Sequence, residues 1–159
     1  MVRFKHRYLV ATISAESLEL TEGLAAKDIF AMLKARQRLL LLLYCTTESI
    51  ATNFGDMGVG ITTPLLQVRS FDATSGVCII RSGKDSYRMV HASLTLISGT
   101  KDEEKKLAVT VDGVTGCDRT LKAAAMAAYA RGYHRAGLDG PTAAVLLQQK
   151  ADALDVQER

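Results

Sequence analysis

Cysteine is scarce in this chain, and its three copies lie far apart. Cys45, Cys78 and Cys117 form no paired spacing, and their number is odd. Disulfide frameworks and zinc ribbons or knuckles need paired cysteines, so this pattern argues against both classes. We therefore expect reduced thiols, as in a cytosolic or nuclear protein.

Long apolar runs are also missing. The leucine-rich run at residues 39–45 covers seven positions, whereas a membrane-spanning helix needs about 20. A secretory leader would place a longer apolar core after its charges, and none is visible. The sequence predicts a soluble intracellular protein with no membrane partner.

The bulk composition is that of a globular protein, with 48% hydrophobic and 23% charged residues. A length of 159 residues suffices for one well-buried core but hardly for two. The net charge is only +3, so any affinity for nucleic acid must come from local clusters of cations. We predict one α/β domain over residues 1–139 and a C-terminal helix or tail over residues 140–159.

Hydrophobic periodicity predicts four strands and three core helices. The strands are expected over residues 4–13, 64–71, 77–81 and 107–114. The helices are expected over residues 25–51, 84–97 and 118–135, with a short final helix after Gly140. The glycines at 55, 58 and 60 are expected to end the first helix. The order βαββαβ predicts an α+β, ferredoxin-like (RRM-like) two-layer sandwich with an additional C-terminal helix.

No catalytic constellation emerges from the titratable residues. His91 lies beside the apolar stripe of the second helix, which is typical of a core or boundary histidine. His6 lies among cations, which disfavour its protonated form. The acidic residues 102–104 are flanked by lysines, as in a solvated turn, and the glycines 55, 58 and 60 lack the Lys-Ser or Lys-Thr of a phosphate-binding loop. The sequence predicts neither a protein active site nor a metal or cofactor bound by the protein.

Basic residues cluster in three places, which we take as candidate RNA-binding sites. They are Arg3, Lys5, His6 and Arg7, then Arg81, Lys84 and Arg88, and then Arg119 and Lys122, with Arg131 and Arg135 further along the same helix. In a ferredoxin-like fold the ends of the first and third strands can lie close together, and converging cations would hold a phosphate backbone without reading its sequence. The third strand carries no aromatic residue, so base stacking on that strand is not expected.

Several segments resemble one family in the same order. The opening Met-Val-Arg-Phe-Lys-His-Arg-Tyr-Leu is the most specific of them. The others are residues 53–58, 66–71, 74–81, 87–97 and 114–121. Together they are similar to the Rpp14/Pop5-type protein subunits of eukaryotic ribonuclease P and ribonuclease MRP, over about 120 residues of one domain.

The resemblance implies a non-catalytic subunit of an RNA-based endonuclease. Such a subunit binds and stabilises the catalytic RNA, assembles with a TIM-barrel-like protein and other ribonuclease P subunits, and meets precursor tRNA only indirectly. It supports removal of 5′ leaders from precursor tRNA and the processing of rRNA, in the nucleus and nucleolus. The Mg²⁺ needed for cleavage is expected on the partner RNA, and the basic opening segment is expected to face that RNA.

One alternative remains open, in which the chain is a protein–protein assembly module with incidental RNA contact. The leucine run at residues 39–43 and a stripe of small residues, Ala124, Ala128 and Gly132, favour it. The stripe is expected to pack against the sheet or a partner. A homodimeric contact, and the choice between ribonuclease P and ribonuclease MRP, also stay open.

Overall fold

The computed structural model describes residues 5–15, 27–97, 107–138 and 140–156. The strands are β1 (His6–Ala15), β2 (Gln67–Asp72), β3 (Val77–Gly83) and β4 (Leu107–Thr115). The helices are α1 (Lys27–Thr62), α2 (Tyr87–Thr95), α3 (Asp118–Arg135) and α4 (Pro141–Val156). A short 3-10 helix, Thr63–Leu65, leads into β2. Within these ranges no helix is both long and apolar enough to cross a membrane.

The strands form one antiparallel sheet in the order β2-β3-β1-β4. With α1 after β1 and α2 after β3, this is the βαββαβ arrangement, so the predicted ferredoxin-like α+β class is confirmed. The sheet register places His6 opposite Gly83 and Tyr8 opposite Thr115. The start of β1 therefore lies between the ends of β3 and β4.

Helices cover both faces of this sheet. The core on one face consists of Leu9, Ala11, Cys78 and Ile80 from the strands, with Ile50, Val90 and Leu94 from α1 and α2. The core on the other consists of Tyr8, Val10, Val77 and Ile79, with Ala125, Ala128, Tyr129 and Tyr133 from α3. Successive side chains of a strand point to opposite faces, and the central strands β1 and β3 are apolar on both. The C-terminal helices thus add a third layer that the two-layer prediction lacked.

The stripe of small residues on α3 faces the sheet. Ala128 is fully buried, and a Cβ atom at Gly132 would lie 2.5 Å from the carbonyl oxygen of Ser75. The absence of a side chain at Gly132 therefore lets α3 approach the turn between β2 and β3. This stripe packs within the chain and does not support the assembly-module alternative.

The first helix extends beyond the end that was predicted from its glycines. Gly55 adopts a positive φ of 65° and kinks α1, but helical structure resumes and extends to Thr62. The prediction that Gly58 and Gly60 end the helix is wrong, because only Gly55 takes the left-handed conformation that breaks it. Of the leucine run, Leu42 is buried in the first core.

Asp72 ties the turn between β2 and β3 to the C-terminal helix. Its Oδ2 accepts hydrogen bonds from the backbone nitrogen and the hydroxyl of Ser75 at 2.9 and 2.5 Å. Its Oδ1 lies 2.9 Å from Nζ of Lys150 on α4. Burial alone would raise the pKa of Asp72, but these partners outweigh it and hold the pKa below its ordinary value of 3.8.

We expect Asp72→Asn to lower the free energy of unfolding by about 1 to 3 kcal/mol near pH 7. Because the folded-state pKa of Asp72 is lowered, its carboxylate stabilises the fold above the unfolded pKa, and this stabilisation is lost as the pH falls through the folded value. Urea unfolding measures the difference in the free energy of unfolding between variant and parent. This difference should be smaller near pH 3 than near pH 7. An equal difference at both pH values would contradict this, and Asp85→Asn, at an exposed position, is the control.

Candidate nucleic-acid interface

One end of the sheet gathers most of the predicted cations. Because the sheet is antiparallel, the starts of β1 and β2 and the ends of β3 and β4 meet there, and α2 and α3 both begin there. We call this region the basic end. Its members are Lys5, His6, Arg7, Arg69, Arg81, Lys84, Arg88, Arg119 and Lys122.

Apart from Arg131 and Arg135, the basic end contains the described members of all three predicted clusters. The backbone nitrogen of Lys84 donates a hydrogen bond to the carbonyl oxygen of Lys5 at 2.9 Å, so these two exposed lysines are neighbours. Arg119 is exposed in the first turn of α3, and Lys122 follows one turn later. Arg3 lies outside the described residues.

Strand geometry sends the basic side chains of β1 to opposite faces. On the α3 face, Nε2 of His6 contacts Nη2 of Arg81. Burial and then the charge of Arg81 lower the pKa of His6, so the imidazole is neutral near pH 7. Burial is the larger cause, and the cation that contributes is Arg81 on the adjacent strand.

Arg69 belongs to this cluster but was not predicted from the sequence. Its guanidinium lies 5.8 Å from the ring centroid of Tyr8, and its Nη1 donates a hydrogen bond to Oη of Tyr8 at 3.4 Å. The pairing of β2 with β3 shifts register between Val68 and Ser70. Because of this irregularity, the alternation of residues along β2 does not show which face Arg69 lies on. The only indication in the sequence is an arginine within a predicted strand.

On the opposite face of the sheet, Arg7 lines a cleft of about 520 Å³ between α2 and β4. The other lining residues are Tyr87, Arg88, His91, Val114, Thr115 and Gly116. Nη1 of Arg7 donates a hydrogen bond to the carbonyl oxygen of His6 at 3.2 Å. His91 is half-buried in the cleft wall, at the boundary of the core.

The charge of the basic end is only lightly balanced. Within the described ranges, no carboxylate pairs with Lys5, Arg7, Lys84 or Arg88. Asp85 and Asp118 are acidic positions in the segments that lead into α2 and α3. These unpaired cations can bind an anion without first giving up a protein partner.

The remaining cations of α3 lie elsewhere. Nη2 of Arg131 forms an ion pair with Asp112 at 2.7 Å, which offsets its charge. Arg135 ends the helix, about 24 Å from Arg119 at the helical rise per residue. The structure therefore does not bring Arg131 and Arg135 to the basic end.

The family model described as the Rpp14/Pop5 family matches residues 7–126. The chain belongs to the Rpp14/Pop5 family. The match begins at Arg7 and ends within α3, so it includes most of the basic end. The third layer of the core lies partly beyond it, because the last turns of α3 and all of α4 follow residue 126.

Two known proteins are similar to this Rpp14/Pop5 member. It is 23% identical over 126 residues to the "Probable ribonuclease P/MRP protein subunit POP5" of Arabidopsis thaliana, covering 79% of this chain and 78% of the relative. It is also similar to a chain in a cryo-EM structure of yeast ribonuclease MRP, with a TM-score of 0.46 and 13% identity over 75% of this chain and 79% of the other.

Metal ligands do not cluster in the part of this Rpp14/Pop5 protein that the structure describes. No group of three histidine, cysteine, aspartate or glutamate side chains there could hold a metal ion. The acidic residues 102–104, predicted to form a solvated turn, lie outside the described ranges. The chemistry available at the basic end is anion binding.

Proposed function

We propose that this protein is a non-catalytic subunit of the ribonuclease P and ribonuclease MRP ribonucleoproteins, and that its basic end binds the phosphate backbone of the catalytic RNA. One observation supports the RNA-binding role above all others, namely the convergence of cations from β1, β2, β3, α2 and α3 on one sheet end. Membership of the Rpp14/Pop5 family supports the choice of particle.

The proposed mechanism is electrostatic positioning. Lys5 and Lys84 project from adjacent backbone segments joined by a hydrogen bond, and Arg119 projects from the start of a helix that is packed on the sheet. Cations held on a rigid frame neutralise phosphates and release condensed counterions, which binds RNA strongly without reading its sequence.

The family resemblance extends this proposal to cellular function. The bound RNA, with its own Mg²⁺, would cleave 5′ leaders from precursor tRNA or process rRNA, in the nucleus and nucleolus. The protein would stabilise the fold of that RNA and reach precursor tRNA only indirectly.

A second role, protein–protein assembly, is favoured by an apolar surface at the end of α1. Phe54, Met57 and Ile61 are all exposed, Met57 to 78%, and Met57 and Ile61 lie about one turn apart on the part of α1 that follows the kink at Gly55. Large exposed apolar side chains in one stretch often mark a contact with another protein. A TIM-barrel-like ribonuclease P subunit is the partner that the family resemblance suggests, and this role is compatible with RNA binding.

Co-purification tests the proposal in the assembled particle. A tagged full-length chain isolated from cells is expected to carry ribonuclease P or MRP RNA and to cleave the 5′ leader of precursor tRNA. A Met57→Ser variant should lose protein subunits more than RNA. Recovery of the protein subunits with no RNA would contradict the RNA-binding role, and recovery of unrelated RNA would contradict the choice of particle.

A further inference from the structure

The cleft between α2 and β4 combines three kinds of chemistry in a small space. Two guanidiniums, those of Arg7 and Arg88, line it, and none of its seven lining residues is acidic. The ring of Tyr87 and the half-exposed side chain of Val114 form planar and apolar parts of the wall. Its volume of about 520 Å³ falls within the range of roughly 300 to 1,000 Å³ that is typical of small-ligand sites.

Backbone geometry admits the Arg7 side chain to this cleft. A Cβ atom at Gly116 would lie 2.7 Å from Nη1 of Arg7, so the glycine leaves the space that the guanidinium occupies. On the other wall, Nε of Arg88 lies 3.4 Å from the Oη atom of Tyr87, and its guanidinium lies 6.0 Å from the centroid of the Tyr87 ring. The hydrogen bond to the carbonyl oxygen of His6 thus holds Arg7, and Arg88 lies beside the Tyr87 ring.

We propose that this cleft binds one unpaired nucleotide of the RNA, with its phosphate between Arg7 and Arg88 and its base stacked on Tyr87. The phosphate matches the two guanidiniums, and the planar base matches the ring. The base must be unstacked from its neighbours to enter, so a single strand fits and a duplex does not. This inference rests on the proposed RNA-binding function and assigns a single-strand site within it.

Removal of the Tyr87 ring tests the contribution of the cleft independently of the other cations of the basic end. Tyr87→Leu keeps an apolar side chain and every charge, and it should weaken binding of a single-stranded oligoadenylate of about eight nucleotides by about 5- to 150-fold. Binding of an RNA duplex of the same length, and the salt dependence of both, should stay unchanged. Tyr87→Phe should behave as the parent chain does, and Tyr44→Leu, at an exposed tyrosine on α1, is the matched control.

Gly116→Ala gives a second test that removes no charge. The added methyl group should displace Arg7 from the cleft, weaken single-strand binding several-fold, and lower the salt slope by about 0.7, the value for one lost phosphate contact. Thermal unfolding should first establish that each variant is folded.

The outcomes distinguish this inference from the proposed function. Suppose that the parent chain binds duplex RNA with strong salt dependence. If Tyr87→Leu then weakens binding of single strand and duplex equally, or weakens neither, the cleft assignment is wrong and the proposed function stands. If the parent chain binds no RNA, the proposed function fails as well. If AMP competes as tightly as the oligoadenylate, the cleft binds free nucleotide, which contradicts an RNA-specific site.

Discussion

Replacement of Lys5, Lys84, Arg88 and Arg119 by glutamine is expected to weaken RNA binding by several hundredfold at about 0.15 M salt. Each phosphate contact releases roughly 0.7 to 0.9 of a condensed counterion, so four lost contacts multiply into an effect of this order. All four residues are exposed, so the fold should be little affected. Fluorescence anisotropy with a labelled fragment of ribonuclease P RNA measures the affinity directly.

A loss of less than about tenfold would mean that these four cations are mostly solvated and that the RNA binds elsewhere. Thermal unfolding of the variant serves as the control for structure. Its Tm should differ from that of the parent chain by no more than a few degrees.

Tyr133→Ala should lower the free energy of unfolding by about 3 to 5 kcal/mol, as expected when a large aromatic side chain is removed from a core. Tyr133 is 1% exposed, and its ring stacks on that of Tyr129 at a centroid distance of 6.3 Å. Both rings lie in the core that joins α3 to the sheet. Urea unfolding monitored by circular dichroism measures the change.

The matched control is Tyr44→Ala, in which the same substitution is made at a side chain that is 52% exposed. Its effect should stay within about 0.5 kcal/mol. A Tyr133→Ala variant as stable as this control would show that the third layer contributes little to the fold.

The position of the basic end could be predicted because topology alone determines it. Once the order βαββαβ is recognised, the start of β1 must lie beside the end of β3, and the pairing of His6 with Gly83 confirms this. Arg69 and the contact between His6 and Arg81 could not be predicted, because they depend on a register shift and on side-chain rotamers.

The third layer was missed for a different reason. The apolar segments 9–11 and 77–80 predict strands, but a continuous apolar run does not by itself indicate how many helices cover a sheet. The small-residue stripe on α3 predicted close packing, and the contact of Gly132 with Ser75 shows that the sheet is what it packs against. The sequence also does not indicate which glycine of a group adopts a positive φ. Gly55 does so and kinks α1, whereas Gly58 does not.

The salt dependence of RNA binding tests the central claim most directly. The dissociation constant should be measured across a series of salt concentrations for the parent chain, for the glutamine variant at Lys5, Lys84, Arg88 and Arg119, and for a control with Arg131→Gln and Arg135→Gln at the far end of α3. The account predicts that the slope of log K against log salt falls by about 3 in the first variant and stays unchanged in the control. Equal decreases per removed charge in both variants, or no decrease in either, would contradict an RNA-binding surface at the basic end.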